Sequence, residues 1–120
     1  MKFNIQVVIE DEQGGIKTED VIQLDKPCDL ANAVGLTLSE SKSLLKELQE
    51  TVVLQQAKSY MASNIVCPRC NKKRRIKGHH RIMYRTIFGN VTIPGLRLFQ
   101  CVCEDSPTKT FSPLKSWLPL

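Results

Sequence analysis

Two cysteine pairs constrain this chain more than any other feature. Cys67-Pro68-Arg69-Cys70 and Cys101-Val102-Cys103 stand on either side of thirty residues. In Cys-x-x-Cys the backbone turns tightly enough for both sulfurs to reach one ion at about 2.3 Å. Pro68 presets φ for such a turn and has no donor to satisfy. Asn71 follows the first knuckle and tolerates the left-handed conformation that closes it. In Cys-x-Cys, residues two apart on extended chain face the same side, so Cys101 and Cys103 reach inward together. This spacing predicts one Zn2+ held by four cysteine ligands, Cys67, Cys70, Cys101 and Cys103. Iron accepts the same donors. His79 or His80 can replace one thiolate, and two disulfides or free thiols are the remaining arrangements. A redox Cys-x-x-Cys needs a βαβ setting, whereas the residues after Cys70 are basic and punctuated by glycine.

The surroundings favour metal. A chain of 120 residues, 42% hydrophobic, suits one domain or two very small ones. A small core is where a bound metal contributes most directly to folding. Met1-Lys2-Phe3-Asn4 runs into a charged, alternating segment rather than a secretory leader, and no apolar stretch has the length to span a bilayer. These features predict a reduced, intracellular protein, cytoplasmic and nucleoid-associated, with no membrane partner. Cys28 is the odd fifth cysteine and reads as a small buried or semi-buried thiol.

Charge divides the chain. Residues 1–66 carry 6 Lys/Arg against 10 Asp/Glu, a net of −4, and residues 67–120 carry 11 against 2, a net of +9. Lys72, Lys73, Arg74, Arg75, Lys77 and Arg81 crowd into ten residues beside His79 and His80. Such a cluster predicts a polyanion partner, with Arg85 and Arg97 extending it if they share a face. A basic surface that serves only solubility is the plainer alternative. Phosphate contacts of this kind set affinity and position, not base sequence. Tyr84 and Phe88 can stack on bases or fill a small sheet's core, and single-stranded DNA or RNA stays open as a target.

In chain order, Lys2–Glu10 alternates apolar and polar residues as a half-buried strand, Asp11–Gly15 is a polar loop, and 16–24 reads as the return strand. A lone hairpin is marginal in water and needs a cover. The expected cover is a helix from Leu38 to about Met61, opened by the capping box Thr37-Leu38-Ser39-Glu40. Its apolar stripe is Leu44, Leu45, Leu48, Val52, Val53, Ala57, Tyr60 and Met61, which can also serve a dimer. After the first knuckle, three short antiparallel strands are predicted: 80–88, then 91–93 after a turn at Gly89-Asn90, then 96–100 after a break at Pro94-Gly95. The fold class is therefore α+β: residues 1–64 a β-hairpin and amphipathic helix, 65–106 a basic zinc-ribbon-like module, and 107–120 a C-terminal tail.

Several strings carry a resemblance: Thr37–Gln49, Cys67-Pro68-x-Cys70, Arg74–His80, Tyr84–Gly89, Arg97-Leu98, Cys101-x-Cys103 and Thr110–Leu114. Together, over roughly residues 30–120, they resemble the N-terminal zinc-binding region of bacterial insertion-sequence transposases of the Kra type. The resemblance implies that the four cysteines ligate metal and that double-stranded DNA, at the ends of a transposable element, is the partner. Asn71 stands where that family more often has glycine. The chain ends at Pro119-Leu120, before a transposase's catalytic domain, and after Cys70 its only carboxylates are Glu104 and Asp105, which read as a solvated pair. A DNA-binding head without cleavage chemistry is the expectation. The alternative is a protein-interaction module that forms a homodimer or docks on a full-length transposase.

Overall fold

The computed structural model describes residues 1–119. They form two compact units, Met1–Val52 and a second from Val53 onward.

In the first unit, β1 (Lys2–Glu10) and β2 (Ile16–Asp25) form an antiparallel hairpin with a register shift at Ile5/Gln6. Ile5, Val7 and Ile9 alternate with exposed neighbours, as the pattern predicts. Asp11 organises the loop: its Oδ1 accepts from the N–H groups of Gln13 and Gly15, at 2.9 and 2.7 Å. A short 3-10 turn, Ala31–Ala33, follows. Leu24 is the hairpin's one buried residue. A groove of about 510 Å³ is lined by Phe3, Ile5, Leu24, Pro27, Leu30 and Leu36 among others.

The helix α1 runs from Leu38 to Ile65, one turn beyond the predicted end, because nothing before Pro68 breaks it. Its start is the predicted capping box. The Thr37 Oγ1 accepts from the Glu40 N–H at 3.1 Å, and Glu40 Oε1 accepts from the Thr37 N–H at 2.9 Å. The Lys26 ammonium donates to the same carboxylate at 2.6 Å. The residues that α1 buries, Val53 and Ala57, belong to the second unit's core. The predicted cover for the first hairpin therefore packs at these positions against a different sheet.

That sheet has the order β3–β4–β5, with β3 at Ile76–Thr86, β4 at Gly89–Phe99 and β5 at Thr110–Phe111. The predicted break at Pro94-Gly95 is absent: β4 is one strand, and Pro94 faces Arg81 within it. β5 pairs with β4 only at Leu98 and Phe99, so β4 keeps an open outer edge where proline's missing N–H is tolerated. The predicted third strand, 96–100, is instead the end of β4, and the sheet's third strand is residues 110–111, which sequence reading assigns to a tail. The tail also forms α2 (Pro113–Trp117), whose Pro113 and Leu114 are fully buried. The core joins Val53 and Ala57 of α1, Ile82 of β3, Val91 and Ile93 of β4, and Leu114. Tyr60 and Trp117 stack beside it, centroids 4.6 Å apart.

Candidate metal centre

The two knuckles are backbone turns before they are ligands. The Asn71 N–H donates to the Cys67 carbonyl at 3.0 Å, and Asn71 takes φ 60°, the left-handed conformation expected of it. The Cys67 N–H donates to the Lys72 carbonyl, and Val66 bridges Lys73, so the turn closes like a miniature hairpin. On the other side, the Glu104 N–H donates to the Cys101 carbonyl at 2.9 Å.

These turns bring all four sulfurs within 4.8 Å of one another. Cys67 and Cys103 lie 3.6 Å apart and Cys70 and Cys101 3.3 Å, far beyond a disulfide bond. A tetrahedral ZnS4 centre with 2.3 Å bonds has sulfurs about 3.8 Å apart, so the donor set fits one such ion. Among the described residues the cluster consists of the four cysteines, with no histidine.

Without an ion, four sulfurs so close cannot all carry charge. Backbone N–H groups of Cys70 and Arg69 hold the Cys67 thiolate and pull its pKa down to about 6. Cys103 is pushed up to about 12 by the neighbouring Cys101 and Cys67 sulfurs. For Cys101 the Cys103 N–H favours the thiolate, but Cys70 and burial outweigh it and raise the pKa. A divalent cation relieves the repulsion that keeps these neighbouring thiols protonated.

Behind the sulfurs lies a polar bracket that the sequence did not reveal. Glu104 Oε1 accepts from the Cys101 N–H at 3.0 Å and from the Arg74 guanidinium at 3.2 Å. Arg74 also donates to the Asn64 carbonyl near the end of α1, at 2.7 Å, and its guanidinium lies 5.1 Å from the centre of the Phe111 ring. The Cys101 amide and Arg74 hold the Glu104 carboxyl below its ordinary pKa. Glu104 is therefore a structural anchor rather than half of a solvated pair. Arg74, read as one of a phosphate-binding run, has a side chain only 11% exposed. Its position directly after two lysines hides this role, because local sequence cannot show which cation in a run turns inward.

The remaining predicted DNA contacts divide by face. Lys72, Lys73, Arg75 and Lys77 are exposed, with Arg75 against the Phe99 ring at 4.8 Å. On β3, His79, Arg81 and Arg85 alternate outward with Met83. They face Leu96, Pro94, Asn90 and Thr92 of β4. His80 and Arg97 have the opposite parity and share the core side with Ile82, Val91 and Ile93. The Ser112 hydroxyl meets His80 Nε2 at 2.9 Å, and a Cβ at Gly95 would press on the ring at 3.0 Å. Burial, then Arg97 and Lys115, lower the His80 pKa. Cys28, expected as a buried or semi-buried thiol, is instead exposed in the first unit and is not one of the four clustered cysteines.

No helix among the described residues is long and apolar enough to cross a membrane. Set against protein-family models, curated proteins and solved structures, the chain matches none of them.

Proposed function

We propose that this chain binds duplex DNA through its second unit, with that unit's fold held by one zinc ion on Cys67, Cys70, Cys101 and Cys103. The observation that carries the reading is the outer face of the β3–β4 hairpin. His79, Arg81 and Arg85 stand exposed there, and neither strand contains a carboxylate. The second unit as a whole holds 12 Lys/Arg against 2 Asp/Glu, a net of +10. A two-stranded ribbon can lie along a groove of B-DNA, major or minor, whereas the deep, narrow major groove of A-form RNA excludes it. Lys72, Lys73, Arg75 and Lys77, at the knuckle end, extend the contact along the phosphates.

The role is binding without strand cleavage. Two-metal phosphodiester chemistry needs convergent free carboxylates, and Glu104 is committed to Arg74 and the Cys101 amide. This matches the part suggested by the sequence resemblance, a DNA-recognising transposase head that engages element ends.

Affinity for a duplex, measured against salt on the zinc-loaded chain, tests the reading. The binding constant should fall steeply as salt rises, and Arg81→Ala with Arg85→Ala should reduce the logarithmic slope by about 1–2. Binding indifferent to salt would sink it.

A further inference from the structure

The tip of the β3–β4 hairpin exposes two large apolar side chains. In a type I turn closed by a glycine of positive φ, the two leading loop residues keep ordinary negative φ and most residue types fit. Here the turn is Ile87-Phe88, with Ile87 88% exposed and Phe88 37%. Neither has positive φ; Gly89 carries it, at 119°. Thr86 does the remaining work. Its Oγ1 accepts from the Phe88 N–H at 3.1 Å and donates to the Gly89 carbonyl at 2.6 Å. Thr86 and Gly89 hold the turn, so the Ile87 and Phe88 side chains are not required to form it.

Large apolar side chains held exposed together, with no part in forming the turn, mark an interaction site. The surroundings identify the occupant. Arg85 and Asn90 flank the tip as a cross-strand pair, Arg81 and His79 follow along the same face, and no acidic residue lies on either strand. Bulky apolar groups ahead of cations fit a polyanion with an apolar interior opened at a step. Stacked base pairs offer that chemistry, and proteins that open them insert Ile, Leu, Phe or Met from the minor groove.

Resting on the duplex-binding reading above, we infer that Ile87 and Phe88 form a wedge that enters between adjacent base pairs and kinks the DNA. The basic face of the hairpin follows the backbone, and the tip partly unstacks one step. Pyrimidine–purine steps resist this least, so a TA step is the preferred point of entry.

The test is end-to-end energy transfer across a labelled duplex of about 25 base pairs with a central TA step, using the full zinc-loaded chain. The key variant is Ile87→Asn with Phe88→Gly. It replaces both apolar side chains with small residues common in turns and leaves Thr86 and Gly89, which hold the turn, in place, so the hairpin is kept while the wedge is removed. Trp117 fluorescence confirms that the second unit stays folded. The wild type should bend the duplex by about 20–90°. The Asn-Gly variant should bind with the same salt slope, about tenfold more weakly, and leave the duplex straight. Ile87→Leu should retain the bend. Wild-type binding without bending, or equal bending by the Asn-Gly variant, overturns the wedge and leaves duplex binding standing. A dimer lost in the Asn-Gly variant, with bending unchanged, also overturns it and reassigns the tip to self-association. A wild type that binds no duplex overturns both.

Discussion

The molecule contains two hairpins of nearly the same size and very different circumstances. β1 and β2 have 9 and 10 residues; β3 and β4 have 11 each. Both alternate, both are antiparallel, and both shift register once. Yet the first buries Leu24 alone, while the second buries Ile82, Val91, Ile93, Gly95 and Leu98. Strand propensity is the same local property in each. The difference is tertiary: the second hairpin receives Val53 and Ala57 of α1, Leu114 of α2, and a chain fixed at both knuckles. A strand pattern reports that one face wants cover, not what will provide it.

Removing metal should sharpen this contrast most. With a chelator, or with Cys101→Ser and Cys103→Ser, the second unit should lose its cooperative unfolding transition, because the knuckles lose their common anchor. All of the chain's Trp and Tyr, Trp117, Tyr60 and Tyr84, lie in the second unit, so their fluorescence reads that unit alone. Amide exchange in β1 and β2 should not change. Equal loss of protection in both hairpins would break the comparison.

A smaller effect should come from side-chain truncation. Ile93→Ala empties a fully buried site and should cost about 2–5 kcal/mol. Phe3→Ala, at a side chain 47% exposed, should stay within about 0.5 kcal/mol. Urea titrations of the zinc-loaded protein measure both, with amide exchange following the first hairpin.

The smallest effect concerns pH. The His80 pKa is lowered in the folded state, so above the ordinary value of 6.5 the ring is neutral whether folded or not, and stability is complete. As pH falls below 6.5 the unfolded chain takes the proton first, and the second unit loses stability. His80→Gln should flatten that part of the profile and leave the steeper acid loss caused by protonation of the cysteines. An unchanged profile between pH 6.5 and 5.5 would show that His80 is not desolvated.

Sequence reading was strongest where a constraint is local. The cysteine spacing, the Thr37–Glu40 box and the left-handed Asn71 each require only a few neighbouring atoms, and each stands where it was expected. Three features needed the fold. Pro94-Gly95 reads as a strand end because both residues usually interrupt strands; instead one occupies an open edge and the other leaves room for His80. The turn falls at Ile87-Phe88 rather than Gly89-Asn90, because Gly89 provides the positive φ from just outside the loop. Residues 107–120 read as a tail because the stretch is short and rich in turn formers, although Ser112-Pro113-Leu114 is the most completely buried run among the described residues. The apolar pair Leu114 and Leu118 was the available signal. Arg74 and Glu104 were legible only as charges, since their pairing spans thirty positions.

Pro94 has a consequence beyond this chain's own sheet. An open strand edge is a template on which an identical neighbour can add its own strand. Midway along the uncovered edge of β4, Pro94 offers no N–H to a visiting strand. A ladder that begins there stops within a few residues. The ring therefore acts as a guard against sheet-to-sheet fusion, and it should allow these molecules to crowd without polymerising.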